Sequence, residues 1–85
     1  MRYMVVEHFK AGAGPVYARY SVQGRLMPEG VRYVNSWVSE DMDTCWQIID
    51  ADDPALIDVW TSAWADLADF TITPVVSSQE AAERA

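Results

Sequence analysis

Four short stretches of this 85-residue chain are rich in β-branched and aromatic residues, and the first three are followed by glycine, proline or acidic turns. This composition and punctuation predict strands, and the second stretch also alternates with a period of two. The four stretches are residues 2–9, 31–39, 44–50 and 70–76. The short acidic segment 40–43 joins the second and third stretches, which predicts a hairpin.

A first helix is predicted between the first two strands. It begins at Pro15, where the fixed proline φ suits the first helical position, and it ends before Gly24. Val16, Tyr17 and Tyr20 lie on one side of it. Its residues are weak helix formers, so the contacts of this side decide whether it forms.

A second helix is the strongest pattern in the chain. Asp53 provides an N-cap, and Pro54 follows it at the favoured first position. The apolar stripe that follows consists of Ile57, Trp60, Ala63, Trp64 and Leu67. Because this is the spacing of one packed helix face, Trp60 and Trp64 are predicted to lie in the core.

The predicted order of elements is βαββαβ, the split arrangement of ferredoxin-like folds. We therefore expect an α+β domain, with a four-stranded antiparallel sheet and two helices on one of its faces. Residues 1–78 form this single domain, and residues 79–85 form a short tail, either a helical turn or a frayed end.

The other face of the sheet has no element of the chain to cover it. Both sides of the first strand are apolar, so we expect this open face to pack against a second copy, closing a dimeric α/β barrel. Met4 and Val6 are assigned to the helix side. The residues assigned to the open face are Tyr3, Val5, Glu7 and Phe9.

Composition and charge restrict the function. Thirteen acidic against six scattered basic residues give a net charge of −7, which excludes nucleic acid and anionic membrane surfaces as partners. One cysteine, no signal-peptide pattern and no apolar run of about 20 residues predict a cytoplasmic protein. One histidine and one cysteine give no zinc spacing, so no metal and no cofactor are predicted.

Glu7, Arg25 and Gln47 are the candidate catalytic residues. A carboxylate in a mostly apolar strand is desolvated, and desolvation raises its pKa toward general acid–base chemistry. Gln47, placed beside Glu7 on the third strand, and Arg25, placed at the mouth of the site, would stabilise developing negative charge. The alternative is that Glu7 forms a structural pair with Arg2, Arg25 or Arg32.

Four further residues are predicted to line the same site and bind a ligand. They are Phe9, Tyr33, Trp37 and Cys45. Strand alternation places Tyr33 and Trp37 on one face, where Trp37 would form a flat wall for a planar ligand, with a core or interface position as the alternative. Cys45 has no neighbouring base in the sequence, so it is interpreted as a small buried residue rather than a nucleophile.

The chain also resembles a family of short bacterial proteins known as domain-of-unknown-function family 3303, from Met1 to about Ser78. The resemblance rests on the segments MVVEHF, GRLMPEGVRYVNSWV, CWQIIDADDPALIDVWTSAWADL and DFTITPVV. It implies a ferredoxin-like domain similar to dimeric α/β-barrel proteins, which include cofactor-independent monooxygenases, lactone isomerases and polyketide cyclases. The family pattern includes Glu7, Phe9, Arg25, Trp37, Cys45 and Gln47 but not His8, and it implies no established activity.

Two hypotheses for the function follow. In the first, the protein is a cofactor-independent enzyme of the cyclase, isomerase or monooxygenase type that acts on a small apolar or aromatic molecule by proton transfer. In the second, it is a ligand-binding, accessory or structural dimer without catalysis. The two differ in what the structure should contain, because a ligand pocket favours the first and a filled interior favours the second.

Overall fold

The computed structural model describes all residues from Met1 to Ala85. Its elements are β1 (Arg2–Phe9), α1 (Ala13–Gln23), β2 (Val31–Val38), β3 (Thr44–Ala51), α2 (Pro54–Ser62), β4 (Ala68–Val75) and α3 (Ser78–Arg84). The strands form one sheet in the order β2-β3-β1-β4, and all neighbours are antiparallel. The predicted ferredoxin-like α+β fold is therefore confirmed, with α3 formed by the predicted tail.

The main core lies between the sheet and α2. From the sheet it contains Tyr3, Val5, Val31, Ile49 and Ala51, which pack with Ile57, Trp60 and Trp64. The face assignment made for β1 is therefore wrong, because Tyr3, Val5, Glu7 and Phe9 face the helices and Met4 and Val6 face away. Both sets of residues are apolar, so hydrophobicity alone did not identify the helix side.

A bulge in β2 separates two residues that simple alternation places together. Tyr33 pairs with Ile49, whereas Asn35 already pairs with Ile48, so Val34 is an extra residue between them. An extra residue reverses the alternation of every following side chain. Tyr33 consequently lies on the helix side and Trp37 on the open face, and the prediction that they share a face is wrong.

The segment that begins with α2 has the cap that its sequence predicts. The Asp53 side chain accepts a hydrogen bond of 2.9 Å from the Ala55 N–H, and Pro54 is the first helical residue. The regular helix ends at Ser62, and short-range bonds such as Trp64 N–H to Thr61 O continue the chain as tight turns. Trp60 and Trp64 are both buried, as predicted.

The open face of the sheet keeps an apolar centre with polar edges. Met4 and Val6 from β1 lie beside Ile48 and the exposed Trp46 from β3. Arg2 bonds Asp50 in a two-point ion pair at one end of this face. None of the three helices is long and apolar enough to span a membrane.

Candidate functional site

A cavity of about 190 Å³ lies between α1, the sheet and the two core tryptophans. Its apolar wall consists of Phe9, Val16, Val38, Cys45, Trp60 and Trp64. Its polar lining consists of Glu7, Tyr17, Tyr20, Arg25, Ser36 and Gln47. The interior on the helix side is therefore not filled, and residues of a single copy of the chain line this cavity, which is partly open to solvent.

Glu7 presents one free carboxyl oxygen to this cavity. Gln47 Nε2 donates a hydrogen bond of 2.8 Å to Glu7 Oε1, while Oε2 has no partner in the protein. No buried side-chain polar atom lacks a partner, so Oε2 must be accessible from the cavity that Glu7 lines. A ligand in the cavity can therefore bond this oxygen directly.

Burial raises the pKa of Glu7 to about 7. Desolvation is the largest cause, and it outweighs the Gln47 hydrogen bond and the positive charge of Arg25, both of which favour the ionised form. At neutral pH the carboxyl therefore exists in both protonation states. It has the pKa of a group that can give and accept a proton near pH 7.

Arg25 is held at the cavity by its backbone. Its carbonyl oxygen accepts hydrogen bonds from Trp60 Nε1 at 3.1 Å and from Trp64 Nε1 at 2.9 Å. Its guanidinium carbon lies 3.7 Å from the ring centre of Tyr33 and 5.1 Å from that of Tyr20. The two core indoles thus fix the position from which the Arg25 side chain reaches the site.

Cys45 and Phe9 contribute apolar surface. Cys45 pairs with Glu7 across the β1–β3 ladder, and both Cys45 and Phe9 are buried in a small second cluster with Ala68. Burial and the nearby Glu7 charge raise the pKa of the Cys45 thiol to about 12. The thiol stays protonated at neutral pH, which agrees with its interpretation as a small buried residue rather than a nucleophile.

The structure brings together five of the seven residues predicted for the site. They are Glu7, Phe9, Arg25, Cys45 and Gln47. Tyr33 lies next to the cavity, where its ring supports Arg25 and its hydroxyl bonds Ser36 at 2.8 Å. Trp37 does not join them, because the bulge turns it to the open face, where it is 55% exposed. The assignment of Glu7, Cys45 and Gln47 to the open face is likewise wrong, since all three line the cavity on the helix side.

The comparison with family models gives one match, to the domain of unknown function DUF3303, over residues 1–85. The chain belongs to this family. No curated protein and no solved structure matches it. The description of the DUF3303 family names no activity, and a fold alone does not determine a function.

Three side chains of α1 in this DUF3303 domain line the site without having been predicted to do so, and they are Val16, Tyr17 and Tyr20. Tyr17 and Tyr20 cover the cavity from above, and Tyr20 Oη accepts a hydrogen bond of 3.2 Å from Arg25 Nη1. The sequence does place these residues on one side of the predicted helix. They were not predicted as site residues because the site was expected on the opposite face of the sheet.

Metal chemistry finds no support in the side-chain arrangement. No group of three or more histidine, cysteine, aspartate or glutamate side chains is placed to hold a metal ion. His8 points away from the cavity, with its Nδ1 3.4 Å from Thr44 Oγ1. The site therefore offers a carboxyl, an amide, a guanidinium and phenol groups on an apolar wall.

Proposed function

We propose that this protein binds a small, largely apolar molecule in the cavity beneath α1 and that Glu7 exchanges a proton with it. The observation that carries the proposal is a partly buried carboxyl with one oxygen fixed by Gln47 and the other free toward an apolar cavity. Such a group is costly to bury unless it has a use or a partner.

The size of the cavity limits the ligand. An engineered apolar cavity of about 150 Å³ holds one benzene molecule. The cavity here, at about 190 Å³, has room for a single ring with a short polar substituent. The aromatic side chains around it, Phe9, Trp60 and Trp64, favour a planar apolar body.

Proton exchange needs a group that changes its protonation state near the working pH, and Glu7 has the required pKa of about 7. Gln47 fixes the carboxyl orientation, and Arg25 stabilises negative charge that develops on the ligand. A proton transfer of this kind needs no cofactor. If the ligand binds without turnover, the same cavity serves the second hypothesis, a binding protein without catalysis.

We further propose that the open face of the sheet packs against a second copy of the chain. Trp37 and Trp46 are paired across β2 and β3 on this face, and both are exposed. Exposed paired tryptophans on the same face as Val6 and Ile48 are unfavourable in water but suit a self-complementary interface. Sedimentation at micromolar concentration is expected to give a dimer, and a stable monomer that binds no apolar dye would contradict it.

Phenol is a suitable first probe for the cavity, because it combines one ring with one acidic hydroxyl. We expect phenol to raise the melting temperature of the wild-type protein. Val38→Phe fills the cavity from β2 and should abolish this shift, whereas Val59→Phe on the exposed side of α2 should leave it unchanged. No shift in the wild type, or an equal shift in both variants, would contradict the proposed binding.

An NMR titration of the Glu7 carboxyl tests the proton exchange. We expect a pKa near 7 in the free protein and a change in that pKa when phenol is added, since phenol competes for the free oxygen. A value at or below the model-peptide value of about 4.3 would mean that Glu7 is a permanently charged structural residue. The acid–base role would then be wrong even if phenol binds.

A further inference from the structure

Arg25 differs from the other four arginines and the lysine in forming no ion pair with an acidic side chain. The other five form ion pairs at 2.6 to 3.7 Å. Arg25 forms none, although the chain carries thirteen acidic residues. The guanidinium of Arg25 therefore lines the cavity without an ion-pair partner, in a protein whose net charge is −7.

The geometry around Arg25 prepares it for a ligand. Its neighbours Gly24 and Leu26 both have left-handed backbone angles, with φ of 68° and 58°, and the two indole N–H groups hold the carbonyl between them. The backbone angle of Leu26 is unfavourable for a residue with a side chain, so the surrounding contacts must maintain it. The side chain therefore starts from a fixed point rather than from a mobile loop.

Most hydrogen-bond donors of Arg25 remain free. A guanidinium has five N–H groups, and Tyr20 Oη takes only one of them. The Tyr33 ring lies against the guanidinium face at 3.7 Å, while hydrogen bonds are made in the guanidinium plane. The ring contact therefore orients the group without using its donors.

We propose that the ligand of this cavity is a small monocarboxylic acid, bound as its anion, with the carboxylate on Arg25 and the apolar body against the wall formed by Phe9, Val38 and Cys45. This inference rests on the proposed function, because it places the ligand in the same cavity. A carboxylate matches the planar fork of one guanidinium with two parallel hydrogen bonds. A phosphate dianion would need more positive charge than this single cation supplies.

Glu7 makes the binding of an anion dependent on protonation. The groups that face Glu7 are Cys45 and Gln47 on β3, Tyr17 and Tyr20 on α1, Arg25 in the loop and apolar Phe70 on β4. Among the groups with a shifted pKa, burial keeps the Cys45 thiol and the Tyr17 hydroxyl protonated at neutral pH, whereas Glu7 titrates there. A carboxylate on Arg25 repels ionised Glu7, so it binds together with a proton.

Benzoate and benzamide provide a matched test, because they share a ring and a planar head group but differ in charge. At pH 6 we expect benzoate to bind at least tenfold more tightly than benzamide, measured by calorimetry. Arg25→Met keeps the backbone carbonyl for the two indoles and should weaken benzoate binding about tenfold or more, while leaving benzamide nearly unchanged. Arg32→Met, which removes a paired arginine outside the cavity, should change neither affinity.

The pH dependence adds a second readout that a loss of folding would not mimic. We expect wild-type benzoate affinity to fall by up to tenfold for each pH unit above 7, and Glu7→Gln to remove this dependence. Equal binding of benzoate and benzamide, or an unchanged benzoate affinity in Arg25→Met, would overturn the assignment of a carboxylic acid while leaving the cavity as a binding site. If phenol, benzamide and benzoate all fail to bind, the proposed function fails as well.

Discussion

The two helices that cover the sheet differ in how they are attached to it. α2 buries Ile57 and Trp60 in the main core and begins at a side-chain cap from Asp53. α1 contains no buried residue and has no side-chain cap at its N-terminus. α2, which contributes more residues to the core, packs over apolar strand residues, whereas α1, which is less firmly attached, covers the cavity.

One side chain fastens α1 to the segment after α2. Arg19 donates two hydrogen bonds to the Asp66 carboxylate, at 2.8 and 2.6 Å, and a third of 2.9 Å to the Ala63 carbonyl. Its guanidinium also lies 5.5 Å from the centre of the Trp64 ring. The difference between the helices indicates that α2 provides stability, whereas α1 serves mainly to enclose the site.

An aromatic truncation in each helix should show the largest difference. Trp60 is 2% exposed and Tyr17 is 42% exposed. We expect Trp60→Ala to reduce the free energy of unfolding by about 3–5 kcal/mol and Tyr17→Ala by about 1 kcal/mol or less, measured by urea unfolding. Trp60→Phe is the control, because it keeps an aromatic ring but removes the indole N–H that donates to the Arg25 carbonyl oxygen. Similar losses from Trp60→Ala and Tyr17→Ala would show that α1 is as much a part of the core as α2.

The sequence was sufficient for the order of elements and for the core of α2. Asp53 and Pro54 act locally through a cap, and the spacing of Trp60 and Trp64 places both indoles on one buried side even though the helix ends at Ser62 and Trp64 lies in the turns that follow. Their signal does not depend on distant contacts. Which face of the sheet is buried could not be predicted in the same way. Both sides of β1 are apolar, and only the packing of the helices onto Tyr3 and Val5 decides which side is buried.

The candidate site could be predicted in part for the same reason. Glu7, Cys45 and Gln47 became neighbours as expected, because they share one face whichever side of the sheet it is. Trp37 was assigned to the wrong face because the bulge at Val34 contains no glycine, so the sequence does not indicate that a bulge is present. The two indole bonds to the Arg25 carbonyl join positions more than thirty residues apart, and no local pattern predicts them.

The free energy of unfolding, measured over a series of pH values, should show how much the desolvation of the Glu7 carboxylate destabilises the fold. The pKa of Glu7 is raised from 4.5 to about 7 in the folded protein. Between these values the unfolded chain loses the proton first, so stability falls as the pH rises from about 4.5 to 7 and the loss is complete above 7. We expect a contribution of up to about 3 kcal/mol, obtained from urea unfolding at pH 4.5 and pH 8.

Glu7→Gln should remove most of this decline, whereas Glu29→Gln, at an exposed position, should keep the wild-type profile. If Glu7→Gln instead lowers stability equally at both pH values, Glu7 acts through its hydrogen bond with Gln47 and not through its desolvated charge.

Two glycines that both have a positive φ probe the contacts of the two helices separately. Gly30 has φ of 92°, and a Cβ there would lie 2.6 Å from Leu56 Cδ1 of α2. Gly12 has φ of 76° before α1, and a Cβ there would meet no atom within 4 Å. Both alanine variants carry the cost of a positive φ, and only the variant at Gly30 adds a close contact with α2.

We expect Gly30→Ala to be less stable than Gly12→Ala by about 1 kcal/mol, because Leu56 can move only part of the way. Thermal unfolding of the two variants side by side provides the measurement. Equal melting temperatures would contradict this expectation, because they would mean that the contact with Leu56 is relieved without a measurable loss of stability.

The smallest effect on stability is expected from weakening the ion pair between Arg19 and Asp66. The informative result is which helix shows the faster hydrogen exchange. Asp66→Asn weakens a largely exposed ion pair, which is worth about 0.2–1 kcal/mol, so the overall stability should hardly change. Because α1 has no buried residue, that loss should appear as local opening, with amide hydrogen exchange in α1 a few-fold faster and exchange in α2 unchanged. Glu80→Gln, which weakens the exposed Arg84 pair in α3, is the matched control and should leave α1 unaffected. Faster exchange in both α1 and α2 would show that the two helices open together, and the division between a stabilising helix and a covering helix would then be wrong.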